Sequence, residues 1–133
     1  MKYAWAAFSL AFLLVFSGCT TSYTPKKGIF GGGYREEQID RNTFTVEFKG
    51  GPLVSRDRVQ TYLLYRCAET TLLHKFDYFA IEDDRVEKTG IRLLTGVGAR
   101  VKIKAYFGEK PQVVPVTYNA REVIDLLAFM VKE

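Results

Sequence analysis

The amino-acid sequence predicts an α+β fold, a two-layer sandwich in which a mainly antiparallel sheet of 4–5 strands carries two helices on one face. Two segments, 43–49 and 99–107, alternate apolar and polar residues with the period of a half-buried strand. Two others, 56–74 and the segment after Asn119, repeat apolar residues at helical spacing. A parallel pairing of the first strands stays open, because the long first helix can serve as a crossover.

A turn-forming segment separates the first strand from the first helix. Gly50-Gly51-Pro52 ends the strand, since glycines permit turn dihedrals and proline cannot continue a central strand. Ser55 is the predicted N-cap of the helix. The apolar residues of this helix form two stripes, one of Val59, Tyr62, Leu63, Cys67, Thr70 and Leu73 and one of Leu64, Ala68 and Leu72. We expect the sheet to cover one stripe and a second helix or a partner protein to cover the other.

The second half of the chain predicts several strands and a closing helix. A short strand is expected at 78–82, and Val86 is placed on another. Along 99–107 the alternation puts Ala99, Val101, Ile103, Ala105 and Phe107 on one face. Residues 113–118 are predicted as a further strand, at an edge because it contains Pro115. Asn119, with Glu122 three residues later, predicts the N-terminus of the final helix.

The N-terminus has the order of an export signal. Lys2 precedes an apolar run over 3–16, and the small residues Ser17 and Gly18 follow it. Export signals combine a positive residue, an apolar segment of about 7–15 residues and small residues at the cleavage site. The run is shorter than the roughly 20 apolar residues that a membrane-spanning helix needs. We therefore predict that residues 1–18 are a signal peptide.

Cys19 directly follows the small pair, in the position where a thiol takes up a diacylglyceryl group. Phe16-Ser17-Gly18-Cys19 resembles the bacterial lipobox, which predicts that Cys19 is the lipidated first residue of the mature protein. An ordinary signal or short anchor with an incidental cysteine is the alternative. Thr20, rather than Asp, after the cysteine favours transport to the outer membrane. We expect a lipid-anchored protein on the periplasmic face of that membrane.

The mature chain is expected to have a tether and one domain. Residues 19–33 contain the proline, glycine and polar residues of a flexible linker, which would span roughly 20 Å. Lys26 and Lys27 in it either meet anionic lipid head groups or remain solvated. Residues 34–133 are then a single domain, because the 115 residues left after removal of 1–18 suit one core better than two.

Composition limits the partners and the stabilising chemistry. The whole chain has a formal charge of +4, and Lys2 leaves with the signal, so the mature charge is 4 − 1 = +3. A charge this small does not predict nucleic-acid binding. Once Cys19 is lipidated, Cys67 is the only thiol left, and no intramolecular disulfide can form. Cys67 is expected to be a small core residue.

Ordered short motifs resemble a family of small proteobacterial lipoproteins. They are Gly32-Gly33-Tyr34, Asn42-Thr43-Phe44, Phe48-Lys49-Gly50, Leu64-Tyr65-Arg66, Ala68-Glu69, Asp77-Tyr78-Phe79 and the closing segment 118–123. That family has no assigned biochemical activity, so the resemblance implies a location and a domain type and transfers no catalytic residue. Gly51 replaces an Asn that often follows the preceding glycine, and Lys75 replaces a glycine that often ends the helix.

Two groups of charged residues are candidates for a role. Arg66 and Glu69 lie three residues apart on the first helix, close enough to pair, and are predicted to be a structural ion pair. Ligand binding by these two residues is the alternative. Arg100, Lys102 and Lys104, here called the basic stripe, lie on one face of a strand. The stripe is either a contact for lipopolysaccharide, anionic lipid or an acidic partner, or an ordinary solvated sheet face.

Candidates for catalysis or metal binding are weak. Cys67 and His74 share a helix face, but their backbones are about 10 Å apart, too far for direct proton transfer. Glu82, Asp83 and Asp84 are consecutive and favour a solvated turn over a metal site. Residues 31–33 do not follow a strand and open a helix, as a phosphate-binding glycine loop does. No cofactor is predicted.

Two classes of function follow from these patterns. The favoured class is a non-enzymatic interaction or structural module, held at the outer membrane by its lipid and contacting an envelope protein or lipid. The alternative is an envelope-modifying enzyme of the hydrolase class whose site the sequence does not display. The scarcity of nucleophile and base groupings favours the first class.

Overall fold

The computed structural model describes residues 23–25, 32–51, 54–89 and 96–132, with only the backbone described at 83–89 and 96–97. The predicted signal peptide and Cys19 lie outside the described residues. The elements in chain order are β1 (Gly33–Asp40), β2 (Thr43–Lys49), α1 (Arg56–Leu73), β3 (Tyr78–Thr89), β4 (Gly96–Tyr106), β5 (Tyr118–Asn119) and α2 (Ala120–Val131).

The five strands form one sheet in the order β1-β2-β4-β3-β5, and every neighbouring pair is antiparallel. The predicted α+β class is confirmed, and the parallel pairing considered for the first strands is wrong. In the register of β2 and β4, Phe44 lies opposite Ile103 and Val46 opposite Val101. All four side chains are buried. The alternation in these two strands therefore builds one continuous apolar face.

The two helices cover this apolar face. α1 packs on β2, β3 and β4, and α2 packs on α1. Val59 and Cys67 of the first predicted stripe, and Ala68 of the second, have no exposed surface. Leu73, the last residue of the helix, is 62% exposed and extends past the core. The sheet therefore covers one apolar stripe of α1 and α2 covers the other, as two stripes require. Leu73 remains outside this cover.

The ends of the helices follow the predicted capping chemistry. The Ser55 hydroxyl accepts a hydrogen bond from the Arg58 backbone N–H at 3.2 Å, and the Asn119 carboxamide oxygen accepts two from the first turn of α2. Both predicted N-caps are confirmed. At the other end of α1, Lys75 has φ 68°, and the N–H of Phe76 donates to the carbonyl of Thr71. This is the Schellman turn that glycine usually completes, formed here with lysine.

Gly50 is required by the tight turn after β2. A Cβ atom placed on Gly50 would lie 2.9 Å from Cβ of Val54 and 3.0 Å from Cγ2 of Val59. These distances are shorter than carbon atoms tolerate in a packed core. The glycine therefore lets the turn lie directly against the start of α1.

Three sequence predictions of strands are corrected by the structure. Residues 78–82 and Val86 lie on the single strand β3, which continues through a bulge between Ile81 and Asp83.

The predicted edge strand at 113–118 is wrong, because only Tyr118–Asn119 pair with the sheet. Val113 and Val116 are 94% and 60% exposed, so their apolar pattern reflects no buried face. The prediction that Phe107 continues the apolar face of its strand is also wrong, because Phe107 lies just beyond β4 and is 75% exposed.

β1 was not predicted from the sequence. Its residues GYREEQID lack the apolar alternation of a half-buried strand, and Ile39 is 54% exposed. The strand forms by backbone pairing with β2, from Gly33 opposite Lys49 to Asp40 opposite Thr43. β1 lies at the edge of the sheet, and its side chains contribute polar and aromatic contacts to the layer under α1.

Candidate functional site

Arg66 lies on the part of α1 that faces the sheet edge, and only 12% of its side chain is exposed. It forms an ion pair with Glu69 of the same helix at 3.0 Å, across the three-residue spacing from which the pair was predicted. A second ion pair joins it to Glu36 of β1 at 2.9 Å. Removing a guanidinium from water costs free energy unless its N–H donors form hydrogen bonds, and two carboxylates accept those bonds here.

Glu36 is one of the residues of this site that the sequence did not reveal. One carboxylate oxygen of Glu36 accepts hydrogen bonds from Nε of Arg66 at 3.1 Å and from the hydroxyl of Thr70 at 2.6 Å. Thr70 has no exposed surface. These partners are 30 and 34 residues away along the chain, so only the unpredicted strand β1 brings Glu36 to the helix.

Aromatic rings complete the surroundings of the guanidinium. The ring of Tyr34 lies 4.0 Å from the central carbon of the Arg66 guanidinium, a cation–π contact. Tyr34 and Glu36 are two residues apart on β1 and share the face of the strand that lies toward α1. The Arg66 side chain is therefore enclosed by carboxylates and by an aromatic surface.

Tyr23, from the segment predicted as a tether, also enters this site. Its phenol donates a hydrogen bond to the Glu69 carboxylate. Its ring centroid lies 4.9 Å from that of Tyr34, 5.3 Å from Tyr65 and 5.7 Å from Tyr62. Burial, and then the hydrogen bond to Glu69, raise the pKa of Tyr23 well above its ordinary value, so the phenol stays a neutral donor at physiological pH.

These six residues are called the Arg66 cluster below. They are Tyr23, Tyr34, Glu36, Arg66, Glu69 and Thr70. Arg66 donates to both glutamates, and the hydroxyls of Tyr23 and Thr70 also donate to them. The hydrogen bonds of the cluster are therefore used to join α1, β1 and the segment before β1.

The basic stripe lies on the opposite face of the sheet, which the helices do not cover. Arg100 forms an ion pair with Glu47 at 3.3 Å, and Lys102 forms one with Glu82 at 3.5 Å. Lys104 is close enough to Asp40 to contribute, after hydrogen bonds from Thr43 and Asn42, to the lowered pKa of that carboxyl. Each cation of the stripe thus has an acidic neighbour, and the open face carries mixed charge.

Cys67 and His74 lie in different surroundings in the structure. Cys67 has no exposed surface, and burial raises the pKa of its thiol, which opposes formation of a nucleophilic thiolate. His74 is exposed at the end of α1, where its ring packs 4.4 Å from that of Phe44. Both residues have roles in packing.

The part of the chain that the structure describes contains neither a metal-binding cluster nor a membrane-spanning helix. There, no group of three or more His, Cys, Asp or Glu residues is placed to hold a metal ion. Glu82, Asp83 and Asp84 lie on β3, so the solvated turn predicted for them is wrong. Glu82 pairs with Lys102. No helix in the same residues combines the length and the apolar character needed to span a membrane.

No family model, curated protein or solved structure matches the chain. The resemblance to a lipoprotein family therefore stays a prediction based on the quoted motifs.

Proposed function

We propose that the protein is a lipoprotein of the outer membrane, anchored through Cys19 on the periplasmic side, and that its α+β domain is a small non-enzymatic interaction or structural module. The observation that carries the proposal is Cys19 directly after Ser17-Gly18 and an apolar run. The family resemblance supports the same location. The proposed partner is an envelope protein or the lipid surface itself.

The burial of Cys67 supports the assignment of thiol chemistry to Cys19. The chain has two cysteines, and Cys67 is enclosed in the core, where burial raises the pKa of its thiol. Burial also keeps Cys67 out of reach of modifying enzymes and of intermolecular disulfides in the oxidising periplasm. Lipid attachment requires an accessible thiol directly after the signal segment, and Cys19 is the cysteine in that position.

The structural use of the polar residues supports a module rather than an enzyme. Arg66 and Glu69 bond to each other and to neighbouring elements, and Cys67 lies in the core. An active site needs a nucleophile or base within reach of bound substrate, with a pKa suited to its task. The candidate residues are instead engaged in holding the fold together.

Lipid attachment is tested by expressing the whole chain, the Cys19→Ala variant and the Cys67→Ala variant in a Gram-negative host fed with labelled palmitate. The chain and Cys67→Ala should both carry label and fractionate with the outer membrane. Cys19→Ala should carry none. Label on Cys19→Ala, or none on the unaltered chain, would refute lipidation at Cys19.

The module is tested by crosslinking the membrane-anchored protein and capturing it, with Cys19→Ala as the unanchored control. A defined envelope protein that is captured only with the anchored form supports the proposal. Absence of such a partner, together with turnover of an envelope polymer by the purified protein, would instead favour the hydrolase.

A further inference from the structure

We propose that residues 23–25, here called the strap, stay bound to the folded domain and hold it close to the membrane, so that only residues 20–22 lie between the strap and Cys19. The effect on membrane distance rests on the proposed lipidation of Cys19. The binding of the strap to the domain does not, because it follows from contacts within the described residues.

The backbone of the strap pairs with the edge of the sheet. The N–H of Tyr34 donates to the carbonyl of Thr24 at 2.8 Å, and Pro25 forms a parallel bridge with Tyr34. β1 is the outermost strand on this side, so the strap adds to an edge that would otherwise present its backbone groups to water.

The side chain of Tyr23 attaches the strap to α1 independently of this pairing. Its ring packs against Tyr62 and Tyr65 of the helix as well as Tyr34 of β1. Its phenol donates to Glu69, which also binds Arg66. A segment held through both backbone and side chain, with its aromatic ring against three others, is a bound part of the domain.

Covalent geometry then limits how far the domain can move from its lipid. Tyr23 is four residues after Cys19, and an extended chain spans at most about 3.6 Å per residue, or roughly 14 Å in all. A free linker over 19–33 would extend to roughly 50 Å by the same measure. Residues 26–31 connect two segments that are already adjacent, so they add no reach while the strap is bound.

Insertions on either side of the strap distinguish a strap that is bound to the domain from a linker that is free over residues 19–33. A Gly/Ser segment of about twelve residues, whose own average span is roughly 20 Å, is placed either between Ser22 and Tyr23 or between Lys27 and Gly28. Each lipidated protein is reconstituted in a supported bilayer, and the height of the domain is measured by neutron reflectometry. The insertion before Tyr23 should raise the domain, and the insertion after Lys27 should not.

Combining the second insertion with Tyr23→Ala should release the strap and raise the domain as the first insertion does. Equal heights for the two insertions in the otherwise unaltered chain would overturn the proposal. Phe107→Ala removes an exposed aromatic ring elsewhere and serves as the control, because it should leave the heights unchanged.

Amide hydrogen exchange in the full chain tests the strap without reference to the lipid. Tyr23→Ala should speed exchange at the Tyr34 amide by about tenfold or more, while core amides such as Val46 and Val101 keep their protection. Tyr23→Phe should have a smaller effect, since it retains the ring. Unchanged exchange at Tyr34 in Tyr23→Ala would refute the strap, whereas failure of the protein to stay in the bilayer would refute lipidation alone.

Discussion

Arg66 is held by partners that come from three parts of the chain: its own helix, the edge strand and the segment before that strand. Two carboxylates share one guanidinium, so the cluster holds one positive and two negative charges. The hydroxyls of Thr70 and Tyr23 offset the excess negative charge by donating to the two glutamates. Loss of either glutamate removes a partner of a largely buried cation, and the polar groups left behind cannot all find replacements.

Glu69→Ala is therefore expected to lower the free energy of unfolding by about 1–3 kcal/mol, the usual cost of losing hydrogen bonds to a charged group. The measurement is urea denaturation of the chain without its signal segment. Glu82→Ala is the matched control, because Glu82 pairs with Lys102 where both side chains are more exposed, and such pairs contribute about 0–1 kcal/mol. An unfolding midpoint equal to that of the parent chain would contradict the anchoring role of Glu69.

Tyr23 should make the attachment of the strap sensitive to alkali. Its pKa is raised in the folded state, first by burial and then by Glu69, above the value of about 10 expected for an unfolded chain. The stabilisation is therefore complete below about pH 10 and declines as the pH rises toward the folded pKa. NMR of the tyrosine Cζ carbons should show Tyr23 ionising above pH 10, and Glu69→Gln should lower that midpoint. Ionisation of Tyr23 at the pH of a free tyrosine would contradict the burial of its phenol.

The elements that the sequence predicted are those whose own residues carry a buried face. β2 and β4 alternate strictly, and Ser55 and Asn119 mark the starts of the helices, so local patterns were enough. β1 places Tyr34 and Glu36 toward the helix instead of aliphatic residues, and its pairing is set by β2. Only the Arg66–Glu69 part of the cluster follows from helical spacing. Glu36 and Tyr23 reach it from 30 and 46 residues away, a distance in sequence that no local pattern covers.

Lys75 stands at the end of α1 in the position that glycine usually takes, so its replacement should change the stability of the domain. It ends α1 with φ 68°, a conformation that costs a residue with a Cβ atom about 1–2 kcal/mol relative to glycine. Lys75→Gly should raise the free energy of unfolding by about 0.5–1 kcal/mol, because glycine's larger entropy in the unfolded chain offsets part of the gain. Lys132→Gly is the control, since the C-cap of α2 has φ −90° and offers no such relief. A lower melting temperature for Lys75→Gly would contradict this account of the turn.

At the scale of the whole molecule, the strap that leads to the proposed anchor contacts only one of the two sides of the sheet. The strap contacts Tyr62 and Tyr65 on the helical side, whereas Arg100 and Lys102 project from the opposite side. The guanidinium of Arg58 lies 5.8 Å from the ring of Tyr62, which in turn contacts Tyr23. Arg58, in the first turn of α1, therefore lies on the side of the sheet to which the strap binds, whereas the basic stripe lies on the other side.

This arrangement predicts which cations meet an anionic bilayer. In a chain that begins at residue 19 and carries Cys19→Ala, Arg56→Glu with Arg58→Glu should weaken sedimentation with anionic vesicles, since each basic residue at such a surface contributes about 1 kcal/mol. Reversal of Arg100, Lys102 and Lys104 to Glu should weaken it less, because Glu47 and Glu82 already offset two of these cations. The difference should shrink as salt is raised, since screening acts on both surfaces. A larger loss from the triple variant, with both variants folded by circular dichroism, would instead place the basic stripe against the membrane and Arg58 away from it.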